Sequence, residues 1–531
     1  MAEKIVAVVN AKKNVAPSAT RQSRGAHQAF AGHEAEKEGM LICKNIHERG
    51  DSDPYLVSKL LAEFVGTFFL VFTVGVSVHS GTTLAPAAIG SVLSIMIYNY
   101  ASVSGGMFNP AVTLAVLLSN RAKIRTEVAA MYIGVQCLAG VVAGLFAFVV
   151  ADTSFGFDWE ANPDGGAGTS VVLEAIYTAA LCSTVLAAGT SFDAPNQYYG
   201  FAIGLTVMSS AWTCSGHDQG SFNPAVTLGI NMGNLANETR SRDPSGGAWL
   251  LFLLTPFLGS VIAAGIFRLT RGEEYTTQRT KLREKLVAEF VGTFYLVLTV
   301  GVAVAGKSGD HAALAIGMML SIQIYTFGSV SGAAFNPAVT VAVLLSGRDK
   351  IQPLDALLYI GVQMLGAFAA GFVAFAATTS TFCFDYDGTA GGAGSSFLLE
   401  TLFTMALCGT VLTTGTSLDA PNQYFGFAIG LIVTVGASTS GKFDQGSFNP
   451  AVTVGMNFAN YANSKSARNP SAGAWFLFLL APCCGSILAA GVFRGTRIKE
   501  YRFGKDVQVG MRSSSSSDSA GSTSLGKRET E

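Results

Sequence analysis

Asn-Pro-Ala occurs four times in this chain, at Asn109-Pro110-Ala111, Asn223-Pro224-Ala225, Asn336-Pro337-Ala338 and Asn449-Pro450-Ala451, always within Phe-Asn-Pro-Ala-Val-Thr. These residue types spell a helix start. Asn is a favoured N-cap, and Pro suits the first helical position, where its missing N–H has no partner to lose. Apolar helix formers follow, such as AVTLAVLLS at 111–119, and small-residue turns precede, such as Ser104-Gly105-Gly106 and Gly220-Ser221. The helix after Asn109 is predicted at about eleven residues, or ~16 Å, half the hydrocarbon thickness of a bilayer. Each helix start carries about half a positive charge. Two such starts aimed at one spot repel cations and protons, while Asn amides offer hydrogen bonds to a neutral solute.

The acids also repeat. Glu63, Glu174, Glu289 and Glu400 each open an apolar segment, and an Asn-Pro-Ala follows nearly fifty residues later in every case. A carboxylate in such a segment is costly and faces a partner or water. No Ser/His/Asp or metal-ligand cluster is visible in the spacing, and the chain has only six His. The eight Cys show no CxxC pair, and Cys137, Cys182, Cys408, Cys483 and Cys484 lie in apolar runs, so neither a disulfide framework nor a zinc site is expected. No metal, cofactor or enzymatic chemistry is predicted. His217 is expected in a surface loop, and Asp193 and Asp419, in the two DAPNQY segments, in ordinary turns.

Positioning falls to long apolar elements. Of 531 residues, 50% are hydrophobic and 13% charged, about half the charged share of a soluble domain. A net charge of −1 offers no field for nucleic acid. Apolar stretches at 56–79, 85–103, 126–151, 169–190, 199–214, 246–268, 284–306, 312–330, 352–379, 395–416, 425–440 and 473–494 predict twelve membrane spans. The chain is also a duplication. DQGSFNPAVT stands at 218–227 and unchanged at 444–453, an offset of 226. Six spans per copy give both copies one orientation. Within a copy, three spans separate the Glu/Asn-Pro-Ala half-repeats, so the halves are inverted, the architecture of transport paths near the midplane. With both tails on one side, 28 of the 34 Lys and Arg share that side, and the positive-inside rule predicts that it is cytosolic. The domain reading is a tail at 1–54, units at 55–269 and 285–495, a linker at 270–284 and a Ser-rich tail at 496–531. Small-residue pairs such as Gly140/Gly144, Gly200/Gly204 and Gly426/Gly430 are expected to let helices approach closely.

The sequence resembles the aquaporins, or major intrinsic proteins, over about 56–268 and 284–494, on the paired FNPAVT motifs, SGG-MFNPAVT and the Glu that begins spans one and four. The resemblance implies an all-α polytopic protein. Each unit would hold six tilted helices and two half-helices around a narrow pore, and two chains would form a four-pore dimer. It also implies that Glu63, Glu174, Glu289 and Glu400 brace the half-helix loops. Most of the family has Arg directly after the second Asn-Pro-Ala, where this chain has Val226 and Val452. Counting the other family filter positions from the motifs gives Ile89, Ala211 and Gly220 in the first unit and Ile316, Ala437 and Gly446 in the second. The expected function is passive passage of water or small uncharged solutes of the glycerol or urea type through a wide apolar filter. A twelve-span secondary transporter and a weakly ion-conducting channel are the alternatives.

Overall fold

The computed structural model describes residues 54–501 apart from 162–164, 195, 277–279, 307, 388, 419 and 421. Asp419 and the tails at 1–53 and 502–531 therefore lie outside the described residues. Residues 1–59 and 60–531 form separate units. Of the first, only 54–59 is described, a turn and the opening residues of a helix. Every contact below lies within the second.

The described residues are helical. In the first repeat the helices are α1 (Leu56–His79), α2 (Ala85–Ser104), α3 (Pro110–Leu118), α4 (Thr126–Ala151), α5 (Ala167–Thr184), α6 (Tyr199–Cys214), α7 (Pro224–Ala236) and α8 (Gly246–Thr270). The second repeat gives α9 (Leu282–Ala305), α10 (Ala312–Ser331), α11 (Pro337–Leu345), α12 (Pro353–Thr378), α13 (Gly392–Thr410), α14 (Phe425–Asp444), α15 (Pro450–Ala462) and α16 (Ala472–Thr496). Among the described residues twelve long helices stand where twelve spans were expected, and eleven of them have the length and apolarity to cross a bilayer alone. The exception is α6, with 16 residues. Its Gly200 and Gly204 seat it against the Tyr98 ring and the Gly90 carbonyl of α2, so its place is set by packing rather than by its own length.

The half-helices come in two lengths. The helix after Asn109 has 9 residues, not eleven, and the one after Asn223 has 13. The shorter one ends early because Ser119 turns its hydroxyl back to the Val116 carbonyl and Asn120 enters the left-handed region. Close approach sets the crossings. A Cβ on Gly144 of α4 would collide with the Gly229 carbonyl of α7, and Gly371 of α12 meets Gly455 of α15 in the same way.

The two repeats pack together through α5 and α6 of the first and α9, α10 and α12 of the second. Ser209 Oγ donates to the Ala315 carbonyl at 2.8 Å, and Tyr295 Oη to the Ile176 carbonyl at 3.2 Å. Trp212 stacks on His311 with ring centroids 5.2 Å apart. This packing overturns the surface-loop expectation for His217. It is 3% exposed, with its ring against Gly306 of the second repeat, because the neighbouring repeat covers the loop.

Candidate functional site

Each Asn of the four motifs caps its own half-helix. Asn109 sits in extended geometry and its Oδ1 accepts from the Ala111 N–H at 2.8 Å; the other three Asn repeat this at 2.8–2.9 Å. The same amides then bind across the repeat. Asn109 Nδ2 donates to the Phe222 carbonyl at 2.9 Å, and Asn223 Nδ2 to the Phe108 carbonyl at 3.0 Å. Asn336 and Asn449 make the same crossed pair with Phe448 and Phe335, at 2.9 and 3.0 Å. The two helix starts of each unit are thus bolted end to end. Each amide nitrogen keeps a second N–H, and all four Asn line a cavity.

The phenylalanines were not singled out in the sequence, though FNPAVT carries one in every copy. Phe108, Phe222, Phe335 and Phe448 all have positive φ, between 48° and 51°. An aromatic residue there costs about 1–2 kcal/mol. The turn aims the Phe carbonyl at the opposite Asn and its N–H at a glutamate. That N–H reaches Glu63, Glu174, Glu289 and Glu400, respectively 2.7, 2.8, 2.8 and 2.8 Å away. Hydrogen bonds of this kind are strengthened in a dry site and offset the backbone cost.

All four Glu are 0% exposed. Glu63 also accepts from Ser104 Oγ at 2.6 Å, the Met107 N–H at 3.0 Å and Gln136 Nε2 at 2.8 Å. Gln136 passes the connection to Thr113, one turn into α3, at 3.0 Å. Glu289 repeats the set with Ser331, Ala334 and Gln363. Glu174 and Glu400 instead take two consecutive N–H groups, Ser221 and Phe222, then Ser447 and Phe448. A further acid, Asp218, accepts from Ser170 Oγ at 2.7 Å and the Gly220 N–H at 3.2 Å beside Glu174. Its signal in the sequence was the repeated DQGSFNP.

In the first unit a cavity of about 420 Å³ is lined by Asn109, Asn223 and the four counted positions Ile89, Ala211, Gly220 and Val226. In the second, a cavity of about 620 Å³ is lined by Asn336, Asn449, Ile316, Ala437, Gly446 and Val452. The structure therefore brings each set of four around one space. Bulky and charged groups missed by the residue count join them. Phe155, Phe157 and Asp218 line the first cavity; Phe382, Phe384, Asp310 and Lys442 line the second. The four phenylalanines come from loops distant in sequence from the motifs, whereas Asp218 and Lys442 lie only a few residues before Asn223 and Asn449. A further space of about 800 Å³ opens on the linker side of the second unit. It abuts the 620 Å³ cavity, sharing Ile324, Ala334, Val339, Val411 and Ile429 in its lining.

The linker side is clamped. Arg121 pairs with Glu274 at 3.2 Å and binds the Thr190 carbonyl at 2.9 Å, while Glu274 accepts from the Phe192 N–H at 2.5 Å. Arg348, Glu500, Thr416 and Leu418 repeat this clamp. Asp193 does more than shape a turn. It pairs with Arg271 at 2.7 Å and accepts from Ser329 Oγ at 2.6 Å, because its loop meets the second repeat.

Comparison with known proteins returns the same duplication. The Major intrinsic protein family profile matches residues 52–267 and again 276–493. Aquaporin A of Dictyostelium discoideum is 32% identical over 228 residues, covering 39% of this chain and 76% of that protein. Glycerol uptake facilitator protein-like 6 of Lactiplantibacillus plantarum is 35% identical over 214 residues, covering 39% of this chain and 94% of that protein. Aquaporin AqpM of Methanothermobacter thermautotrophicus is 29% identical over 245 residues, covering 39% and 95%. Each spans about one repeat. With the profile matched twice and the helical repeats built as described, the chain belongs to the major intrinsic protein family, as a tandem of two aquaporin-like membrane-channel units and not an enzyme.

Proposed function

We propose that each unit is a pore for water and small uncharged solutes of the glycerol or urea type, so that one chain carries two. The observation that carries this reading is the ring of four small or aliphatic residues at each cavity, Ile-Ala-Gly-Val in both units. With Val226 and Val452 where the family usually has Arg, the ring is wide and offers few donors to replace a solute's hydration. That favours larger, less polar solutes over water alone. The 35% identity to a protein named glycerol uptake facilitator protein-like 6 supports the same solute class. Cation exclusion then rests on the paired half-helix starts at the crossed Asn residues. Glu63, Glu174, Glu289 and Glu400 act as braces for those starts rather than as proton carriers.

The units run over 55–269 and 285–495. The linker at 270–284 and both tails are cytosolic, because the lysines and arginines concentrate there. Proteoliposomes holding the purified full chain are expected to pass water, glycerol and urea, with flux linear in the gradient. Strong water flux with no glycerol or urea flux would refute the wide ring. Saturable, gradient-coupled uptake would favour a transporter instead.

Two chains form the working particle, with four pores. The α6–α10 contact inside one chain has an open counterpart on each side. Ile95 and Tyr98 of α2 are 52% and 43% exposed, and Leu431 and Val435 of α14 are 41% and 45% exposed. Apolar side chains at the helix positions that are paired internally suit a second copy of this chain. Native mass spectrometry from detergent is expected to give two chains per particle; a lone chain overturns this.

A further inference from the structure

The first unit builds part of the second unit's passage. Asp193, Asn196 and Tyr198 belong to the first repeat, yet they line the linker-side space of the second. The contact is anchored at several points. Tyr198 stacks on Tyr325 with ring centroids 4.3 Å apart and planes 19° from parallel. The Gln197 N–H donates to Gln423 Oε1 at 3.1 Å. Arg271, whose side chain is 1% exposed, joins Asp193 to the Thr326 carbonyl at 2.9 Å and to Ser329 Oγ at 3.1 Å. Burying a guanidinium is costly unless its partners are held, so this corner is a fixed joint rather than a passing surface contact.

We propose that Tyr198, held in place by the Asp193–Arg271 pair, is a conductance-determining residue of the second pore's cytosolic mouth. The proposal rests on the two-pore reading above. The duplication itself supplies the control. Tyr424 occupies the same place in the second DAPNQY loop, but it is 60% exposed and is absent from the lining of its own unit's mouth. Tyr198 therefore lines the mouth of the unit that follows it, while Tyr424 does not line the mouth of the unit that carries it. Within one chain only the second pore receives that ring, so two units with the same filter residues have differently built mouths. Removing the phenol ring widens the second mouth and leaves the first alone.

The test uses the full chain with one pore plugged at a time, by Ala211→Trp in the first or Ala437→Trp in the second, and glycerol flux in proteoliposomes as the readout. Tyr198→Ala is expected to raise flux by about twofold or more when only the second pore is open. It is expected to leave flux unchanged when only the first is open, which also shows that the variant folds. Tyr424→Ala is expected to leave second-pore flux unchanged. An unaltered second-pore flux in Tyr198→Ala, or the same change in both plugged backgrounds, overturns the proposal. Plugs that do not lower the flux of the unmutated chain overturn the two-pore reading, and the proposal with it.

Discussion

Glu63→Ala is expected to dismantle the first pore. The substitution strands Ser104 Oγ, the Met107 and Phe108 N–H groups and Gln136 Nε2, all now satisfied by one carboxylate that is 0% exposed. A buried donor left without a partner costs about 1–3 kcal/mol. Four together are comparable with the whole ~5–15 kcal/mol that holds a typical fold. The left-handed Phe108 then loses the bond that offsets its backbone, and with it the carbonyl position that Asn223 needs. At roughly 2–4 °C per kcal/mol for a unit of this size, the melting midpoint is expected to fall by about 10 °C or more. Glycerol flux in the chain with its second pore plugged is expected to vanish. Glu63→Gln keeps one acceptor oxygen and is expected to lie between. An unchanged melting curve for Glu63→Ala, followed by fluorescence-detected size exclusion after heating, would sink the bracing role.

The pair Val226→Arg and Val452→Arg is expected to turn a solute-permeable chain into one that passes mainly water. Each Val faces Ile, Ala and Gly positions across its cavity. A guanidinium there fills the space that Val leaves open and brings donors that fit water better than a polyol's carbon skeleton. An added barrier of ~1.4 kcal/mol is enough for about a tenfold loss of glycerol flux. The single variants are expected to lose about half, since one wide pore remains in each. Stopped-flow light scattering on matched vesicles, with water and glycerol measured in parallel, decides it. Glycerol flux that stays within about twofold in the double variant means that the narrowest point lies elsewhere. Phe157 and Phe384, which line the same cavities, are then the candidates.

Much of this was legible in residue order because it depends on short-range chemistry. An Asn side chain that accepts from the N–H two residues on, and a Pro that follows it, act within a single turn. The lengths of apolar segments, the repeat offset and the side bearing the lysines and arginines likewise need no knowledge of contacts. The eight positions that the family resemblance implies for the ring could be counted because a repeated motif gives a fixed origin, and all eight line the two cavities. The Glu positions were visible for the same reason, though not the four donors that each of Glu63 and Glu289 collects.

Other features required the folded molecule. The amide of Asn109 meets the carbonyl of Phe222 across 113 positions of chain, and no spacing rule announces such a pair. Phe157 reaches the first cavity from a remote loop, and Asp218 there and Asp310 and Lys442 in the second join the lining at positions that the motif count does not single out. His217 was expected at the surface and is covered by the second repeat, and Asp193 was expected in a plain turn and holds a buried arginine. Residue order by itself determined where most helices begin and that the chain is doubled, since caps, prolines and apolar runs act over a few residues; it predicted twelve spans, of which eleven have the length and apolarity to cross alone among the described residues. Only the tertiary structure decided which loop leans on which unit. That depends on how α6 packs against α10, where close side-chain fit over many distant residues sets the free energy and no local pattern records it.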